Sequence, residues 1–331
     1  MLTSRRASLK GFPVSRWIKS ALLSISRVNK DAQSRRIIPR FLKLNEAQCS
    51  LAVFALATAS STSLADVWGK TPITSPVAGF KDSKVFILRD KLTGMAELIR
   101  PSTVLPAERS PITFLTSDGL ELIGEITRPI QDNYGIGLLC LHPLPTHGGM
   151  MDSHILKKAA NRLPHLAGIN VIRFNTRGTK SDQGLSEGQF GEGVTEKEDV
   201  IAAINYSFDR LGINKLWVSG WSFGSDLALK YARDKRVMGL ILLSPPLRFS
   251  TDEDLAFWGQ DGRGITALIP EFDDYLKPDQ AKQRFVPIPQ AELIAIKGGK
   301  HLWVGEPFVH RVLSEIVKVI SPERLPLPLE I

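Results

Sequence analysis

From Pro111 onward the chain alternates short apolar runs with longer segments whose apolar residues recur at helical spacing. Pro111–Ser117 and Leu120–Arg128 read as two strands joined across the turn dipeptide Asp118-Gly119, so a hairpin is expected. Gly135–Leu141 (GIGLLCL) is apolar without interruption, which suits a strand covered by helices on both faces. His154–Leu163 then reads as a helix that Pro164 helps to end, followed by a strand at Asn170–Phe174. Glu196–Leu211 places Val200, Ile201, Ile204, Phe208 and Leu211 on one helical face, with Gly212 as the stop.

The same alternation continues to the C-terminus. Strands are expected at Lys215–Ser219, Val237–Leu243, Ile265–Ile269 and Glu292–Lys297, and helices at about 223–233, 279–285 and 307–320. Strands alternating with helices imply an α/β fold: a mostly parallel sheet of about eight strands, with helices on both faces and an antiparallel hairpin at one edge. In such sheets ligands gather at the carboxyl ends of the strands.

Residues 1–87 stand outside this pattern, so the chain divides into an N-terminal extension, 1–87, and one folded domain, 88–331. The extension begins basic and serine-rich, and from Cys49 runs through a soft apolar stretch, CSLAVFALATASSTSLA. A disordered extension, a late secretory signal or anchor, and an organelle transit peptide all remain open for it. No stretch reaches the roughly 18–20 uninterrupted apolar residues of a membrane-spanning helix. The expected location is cytoplasmic, with export or membrane association through the extension as the alternative.

Charge changes the picture only once it is located. The 331 residues carry a net charge of +8, which by itself suggests an anionic partner. Residues 1–46, however, hold eleven Lys or Arg against two acids, and the rest of the chain holds 31 bases against 32 acids. A nearly neutral body argues against nucleic acid as the partner, because phosphate affinity needs basic charge at the binding surface. The two cysteines, Cys49 and Cys140, make no disulfide framework.

The chemistry is carried by Gly220-Trp221-Ser222-Phe223-Gly224. A strand running into this G-x-S-x-G pentapeptide and out into a helix lifts a serine hydroxyl clear of the sheet, and a β-carbon at either flank would crowd the turn. The N–H of Phe223 then sits at a helix N-terminus, where it can hold an oxyanion. A serine hydroxyl needs a base. His301, reached from the last strand through Gly298-Gly299-Lys300, stands at the expected place in the order serine, acid, histidine. The acid should follow the preceding strand, where Glu271, Asp273 and Asp274 compete; Asp273 is favoured. Its work is to hold the imidazole tautomer and stabilise the imidazolium. Leu144 is the expected second oxyanion donor, because Pro143 and Pro145 have no N–H. His142, His147 and His154 invite a metal reading, but no further ligand of suitable spacing accompanies them, and none is expected.

These motifs carry a resemblance. LHPLPTHGGMMDSH, INVIRFNTRGTKSDQG, VSGWSFGSDLAL, LLSPPL, PEFDDYL and GGKHLW, in this order over residues 95–325, resemble small bacterial α/β-hydrolases of the dienelactone-hydrolase and serine-aminopeptidase-like branches. The resemblance implies the α/β-hydrolase fold, the triad Ser222, Asp273 and His301, and a reaction without a cofactor, and it does not imply a substrate.

A serine at the elbow points to acyl transfer to water. Only 51 positions separate Ser222 from Asp273, too few for a large cap domain. The loop 248–263, with Phe257 and Trp258, is the expected cover, and with Trp221 and Trp303 it suggests a partly apolar pocket for a small-molecule acyl substrate. An esterase (or thioesterase) for small to medium acyl groups is therefore expected. The alternatives are an aminopeptidase-like enzyme using Asp252, Glu253 and Asp254 to hold a substrate amine, and a non-catalytic binding protein on the same fold.

Overall fold

The computed structural model describes residues 97–131 and 134–331; the extension 1–87, with Cys49, lies outside the described residues. The described chain falls within one compact unit, Leu92–Ile331. Eight strands form its main sheet in the order β1-β2-β4-β3-β7-β8-β9-β10. These are β1 (Glu108–Leu115), β2 (Glu121–Arg128), β3 (Ile136–Leu141), β4 (Asn170–Phe174), β7 (Lys215–Trp221), β8 (Val237–Leu243), β9 (Gly264–Phe272) and β10 (Ala291–Lys300). The hairpin β1–β2 is antiparallel, β2 pairs antiparallel with β4, and every later pairing is parallel. A short ribbon, β5 (Lys180–Ser181) with β6 (Gly184–Leu185), stands apart from the sheet and was not expected from the sequence.

Among the described residues six helices flank the sheet: α1 (His154–Ala167), α2 (Glu196–Asp209), α3 (Phe223–Tyr231), α4 (Asp252–Asp261), α5 (Pro278–Arg284) and α6 (Glu306–Ile320). They sort by face. In the central strands successive side chains point to opposite sides. Leu139, Leu141, Val218, Leu240 and Leu242 pack into a core with α2 to α5. Their neighbours Leu138, Cys140, Ile241 and Leu243 pack into a second core with α1 and α6. Burial on both faces is why these strands read as unbroken apolar runs.

Three expectations are corrected. The loop 248–263 reaches the cleft only through Arg248 and Phe249: its middle, with Phe257 and Trp258, is helix α4, started by a capping box in which Thr251 Oγ1 accepts from Asp254 N–H and Asp254 accepts from Thr251 N–H. Helix α1 continues past Pro164 to Ala167; a proline so near the end displaces little helical bonding, and Gly168 at φ 67° makes the actual stop. Strand β9 runs three residues beyond Ile269, so Glu271 belongs to the strand and Asp273 is the first acid beyond it. Among the described residues no large cap domain covers the sheet, and no helix is long and apolar enough to cross a membrane.

Candidate active site

Ser222 sits between β7 and α3 at φ 53°, ψ −119°, a left-handed conformation that costs a non-glycine residue free energy. Its neighbours make the bend sterically possible. A β-carbon on Gly220 would lie 2.2 Å from the Gly224 carbonyl oxygen, and one on Gly224 would lie 2.2 Å from the Leu141 carbonyl oxygen. Both obstacles are backbone, which cannot swing away. Three hydrogen bonds close the turn: Ser222 N–H to the Leu243 carbonyl (2.9 Å), Ser225 N–H to the Ser222 carbonyl (2.7 Å), and Ser225 Oγ to the Gly220 carbonyl (2.7 Å).

His301 follows β10 and reaches back to this bend. Its Nε2 lies 2.9 Å from Ser222 Oγ, and its Nδ1 lies 2.9 and 3.1 Å from the two carboxylate oxygens of Asp273. A carboxylate only accepts, so Nδ1 carries the proton and Nε2 is left to accept from the serine hydroxyl. The histidine backbone is pinned as well: Trp221 Nε1 and Ser244 Oγ both donate to the His301 carbonyl, at 3.1 and 3.2 Å. Asp273 is buried beneath the ring. Burial pushes its carboxyl up, but the His301 bond and the amides of Tyr275 and Leu276 outweigh that and hold it below its ordinary range.

The loop after β3 completes the mouth of the site. His142 is buried; its Nδ1–H donates to the Pro143 carbonyl at 2.7 Å, and its Nε2 accepts from the Thr176 N–H at 3.1 Å. Burial pushes this imidazole down to about 4, so it is neutral. Gly149 closes the turn by donating to the Leu144 carbonyl, and a β-carbon on it would lie 2.0 Å from the Pro143 carbonyl oxygen. Leu144 and Phe223 thereby face the same cleft as Ser222 and His301, a space of about 280 Å³. The Phe223 N–H is the first of helix α3 and has no carbonyl one turn back.

Residues 138–315 match the sequence family described as alpha/beta hydrolase fold. The chain belongs to that family. Among solved structures, an alpha-beta serine hydrolase homologue from Coxiella burnetii is 26% identical, with a TM-score of 0.53 over 65% of this chain and 96% of that one. A serine hydrolase without a lid from Xanthomonas campestris is 24% identical, with a TM-score of 0.52 over 68% of this chain and 99% of that one. An esterase from Pyrococcus furiosus, 17% identical with a TM-score of 0.54 over 65% of this chain and 93% of that one, shares the fold. No functionally curated protein matches the chain significantly.

Within this α/β-hydrolase, the residues singled out from the sequence divide into two groups. Ser222, His301, Asp273, Phe223, Leu144 and Trp221 are brought together around one cleft. Phe257, Trp258 and Trp303 are not. Trp258 is fully buried between α4 and the sheet, its Nε1 donating to the Leu229 carbonyl at 2.8 Å. Phe257 meets the Trp258 ring edge to face, under the Arg233 guanidinium, and Trp303 is fully buried in the second core. Helical winding of α4 turns Trp258 into the core and leaves Phe257 half-buried at its edge, and Trp303 is turned inward by a positive φ of 53°. Glu271 accepts from the Gly298 N–H at 2.7 Å, and Asp274 is exposed. The three histidines considered as ligands separate: His147 bonds Thr146 Oγ1, and His154 Nε2 donates to the Leu302 carbonyl.

Residues that sequence reasoning missed are Pro246, Arg248, Phe249, Tyr275 and Leu302, which line the cleft. Two had a readable signal. Tyr275 stands two positions after the acid and Leu302 one after the histidine, and loops that carry such residues shape the same cleft.

Proposed function

We propose that this chain is a serine hydrolase that cleaves esters or thioesters of small to medium acyl groups through a Ser222-His301-Asp273 triad. The observation that carries the reading is the unbroken line of hydrogen bonds from Asp273 through His301 to Ser222, all at 2.9–3.1 Å. Ser222 Oγ attacks the carbonyl carbon as its proton passes to His301 Nε2. Asp273 stabilises the imidazolium, and the Phe223 and Leu144 N–H groups receive the oxyanion. Collapse breaks the bond to the leaving alcohol or thiol, which takes the proton from His301. Water, deprotonated by the same imidazole, then releases the acid and restores the serine. The domain 88–331 carries this chemistry, with 1–87 as an extension to it.

The size of the cleft supports a small substrate. Its volume of about 280 Å³ lies just below the usual span of ligand sites, roughly 300 to 1,000 Å³. The aminopeptidase alternative needs acids in the cleft, and none of Asp252, Glu253 and Asp254 lines it. Asp254 pairs with Arg233 and caps α4, and Asp252 lies 3.8 Å from Arg284.

A fluorophosphonate probe tests the reading: it should label the wild type and not Ser222→Ala, and a panel of 4-nitrophenyl esters should be cut faster than aminoacyl-anilides. Equal labelling of both proteins overturns the assignment.

A further inference from the structure

One side chain in the cleft has no use in the mechanism above. Arg248 is the one lining residue with a permanent charge, and no acid lines the cleft with it. Among the described residues it forms no ion pair, and its guanidinium donates no hydrogen bond. The arginines of the surrounding elements differ: Arg233, Arg236 and Arg263 each hold a carboxylate.

The Arg248 side chain is exposed at the rim of the cleft, but its loop is fastened and its guanidinium lies over an aromatic ring. On the backbone side, Asp226 is fully buried on α3, four residues after Ser222. Its carboxylate accepts from Ser250 N–H (3.1 Å), Ser250 Oγ (2.6 Å) and Arg248 N–H (3.4 Å). The loop carrying Arg248 is therefore fastened to the helix that begins at the nucleophile. On the side-chain side, the guanidinium carbon lies 5.7 Å from the Tyr275 ring centroid. The Tyr275 ring in turn lies 4.7 Å from the His301 ring. An arginine set over an aromatic face keeps its N–H edge open, and that planar edge matches a carboxylate in two parallel hydrogen bonds.

We propose that Arg248 recognises a carboxylate carried by the substrate, so that the preferred esters are anionic. This deepens the serine-hydrolase reading and rests on it. The carboxylate sits either on the acyl part or on the alcohol part of the ester, and the test separates the two.

The full chain is assayed with two matched pairs: 4-nitrophenyl hydrogen succinate against 4-nitrophenyl butyrate, and 4-acetoxybenzoate against 4-tolyl acetate. In the wild type, the anionic member of one pair should have the higher kcat/KM relative to its neutral partner than in Arg248→Gln. That ratio should fall roughly 10- to 100-fold in Arg248→Gln and recover in part in Arg248→Lys, which keeps the charge and loses the planar fork. A merely structural role would lower both members of a pair together and leave both ratios unchanged, and that result overturns the inference. Labelling of Ser222 by a neutral fluorophosphonate is read in parallel. Labelling with unchanged ratios removes the anion inference alone, and absence of labelling in the wild type removes both readings.

Discussion

Gly224 and the Leu141 carbonyl are in backbone contact across the top of the sheet: a β-carbon on Gly224 would stand 2.2 Å from that oxygen. The contact joins the nucleophile bend to the end of β3, just before the loop that carries Leu144. Gly224→Ala should therefore destabilise the fold by about 2–4 kcal/mol, because neither backbone can yield. Gly264→Ala, where the added carbon meets nothing within 4 Å, should cost less than about 1 kcal/mol. Urea denaturation midpoints of the two variants make the comparison, and equal costs would contradict the packing described.

Asp273→Asn should reduce kcat by about 10³–10⁴-fold with little change in the fold. The Tyr275 and Leu276 amides still find an acceptor oxygen, but the carboxamide N–H₂ can face Nδ1 and favour the tautomer with the proton on Nε2, where it cannot accept from Ser222. Because the carboxyl of Asp273 is held below its ordinary range, its ionised form contributes stability at neutral pH. That contribution is lost as pH falls through the lowered folded value. Denaturation midpoints of wild type and variant should converge in acid.

His142 has the opposite protonation problem. Buried and pushed down to about 4, it resists a proton that the unfolded chain accepts near 6.5. The unfolded state therefore binds more protons between those values, and stability falls as pH is lowered through this window, by about 3 kcal/mol in total. His142→Asn should remove most of that slope. Stability curves at pH 7 and pH 4.5 measure it, and a variant with the wild-type slope would rule out the buried imidazole as its source.

Trp258 and Phe249 should behave oppositely. Trp258→Phe leaves the Leu229 carbonyl without its donor in the core and should cost about 1–3 kcal/mol, with KM unchanged across acyl lengths. Phe249→Ala opens the wall of the cleft and should shift the preferred acyl length upward. An ester series from acetate to octanoate, read as kcat/KM for each variant, distinguishes the core residue from the wall residue.

The alternation of apolar runs with amphipathic segments was legible because burial on two faces demands it, and so was the bend at Ser222, because glycine is required wherever backbone meets backbone. The order of serine, acid and histidine along the chain singled out Ser222, Asp273 and His301, which the fold brings into one hydrogen-bonded line. The composition of the cleft wall was not legible in this way. Trp258 and Trp303 are large and apolar in either setting, and only the winding of α4 and one positive φ turn them into the core. Arg248, Phe249 and Tyr275 come from two loops some twenty-five positions apart and meet only when Asp226 on α3 and Asp273 beyond β9 have fastened those loops. Local backbone requirements leave their mark on neighbouring residues, whereas a wall assembled from distant loops depends on three-dimensional contacts that no single stretch of sequence contains.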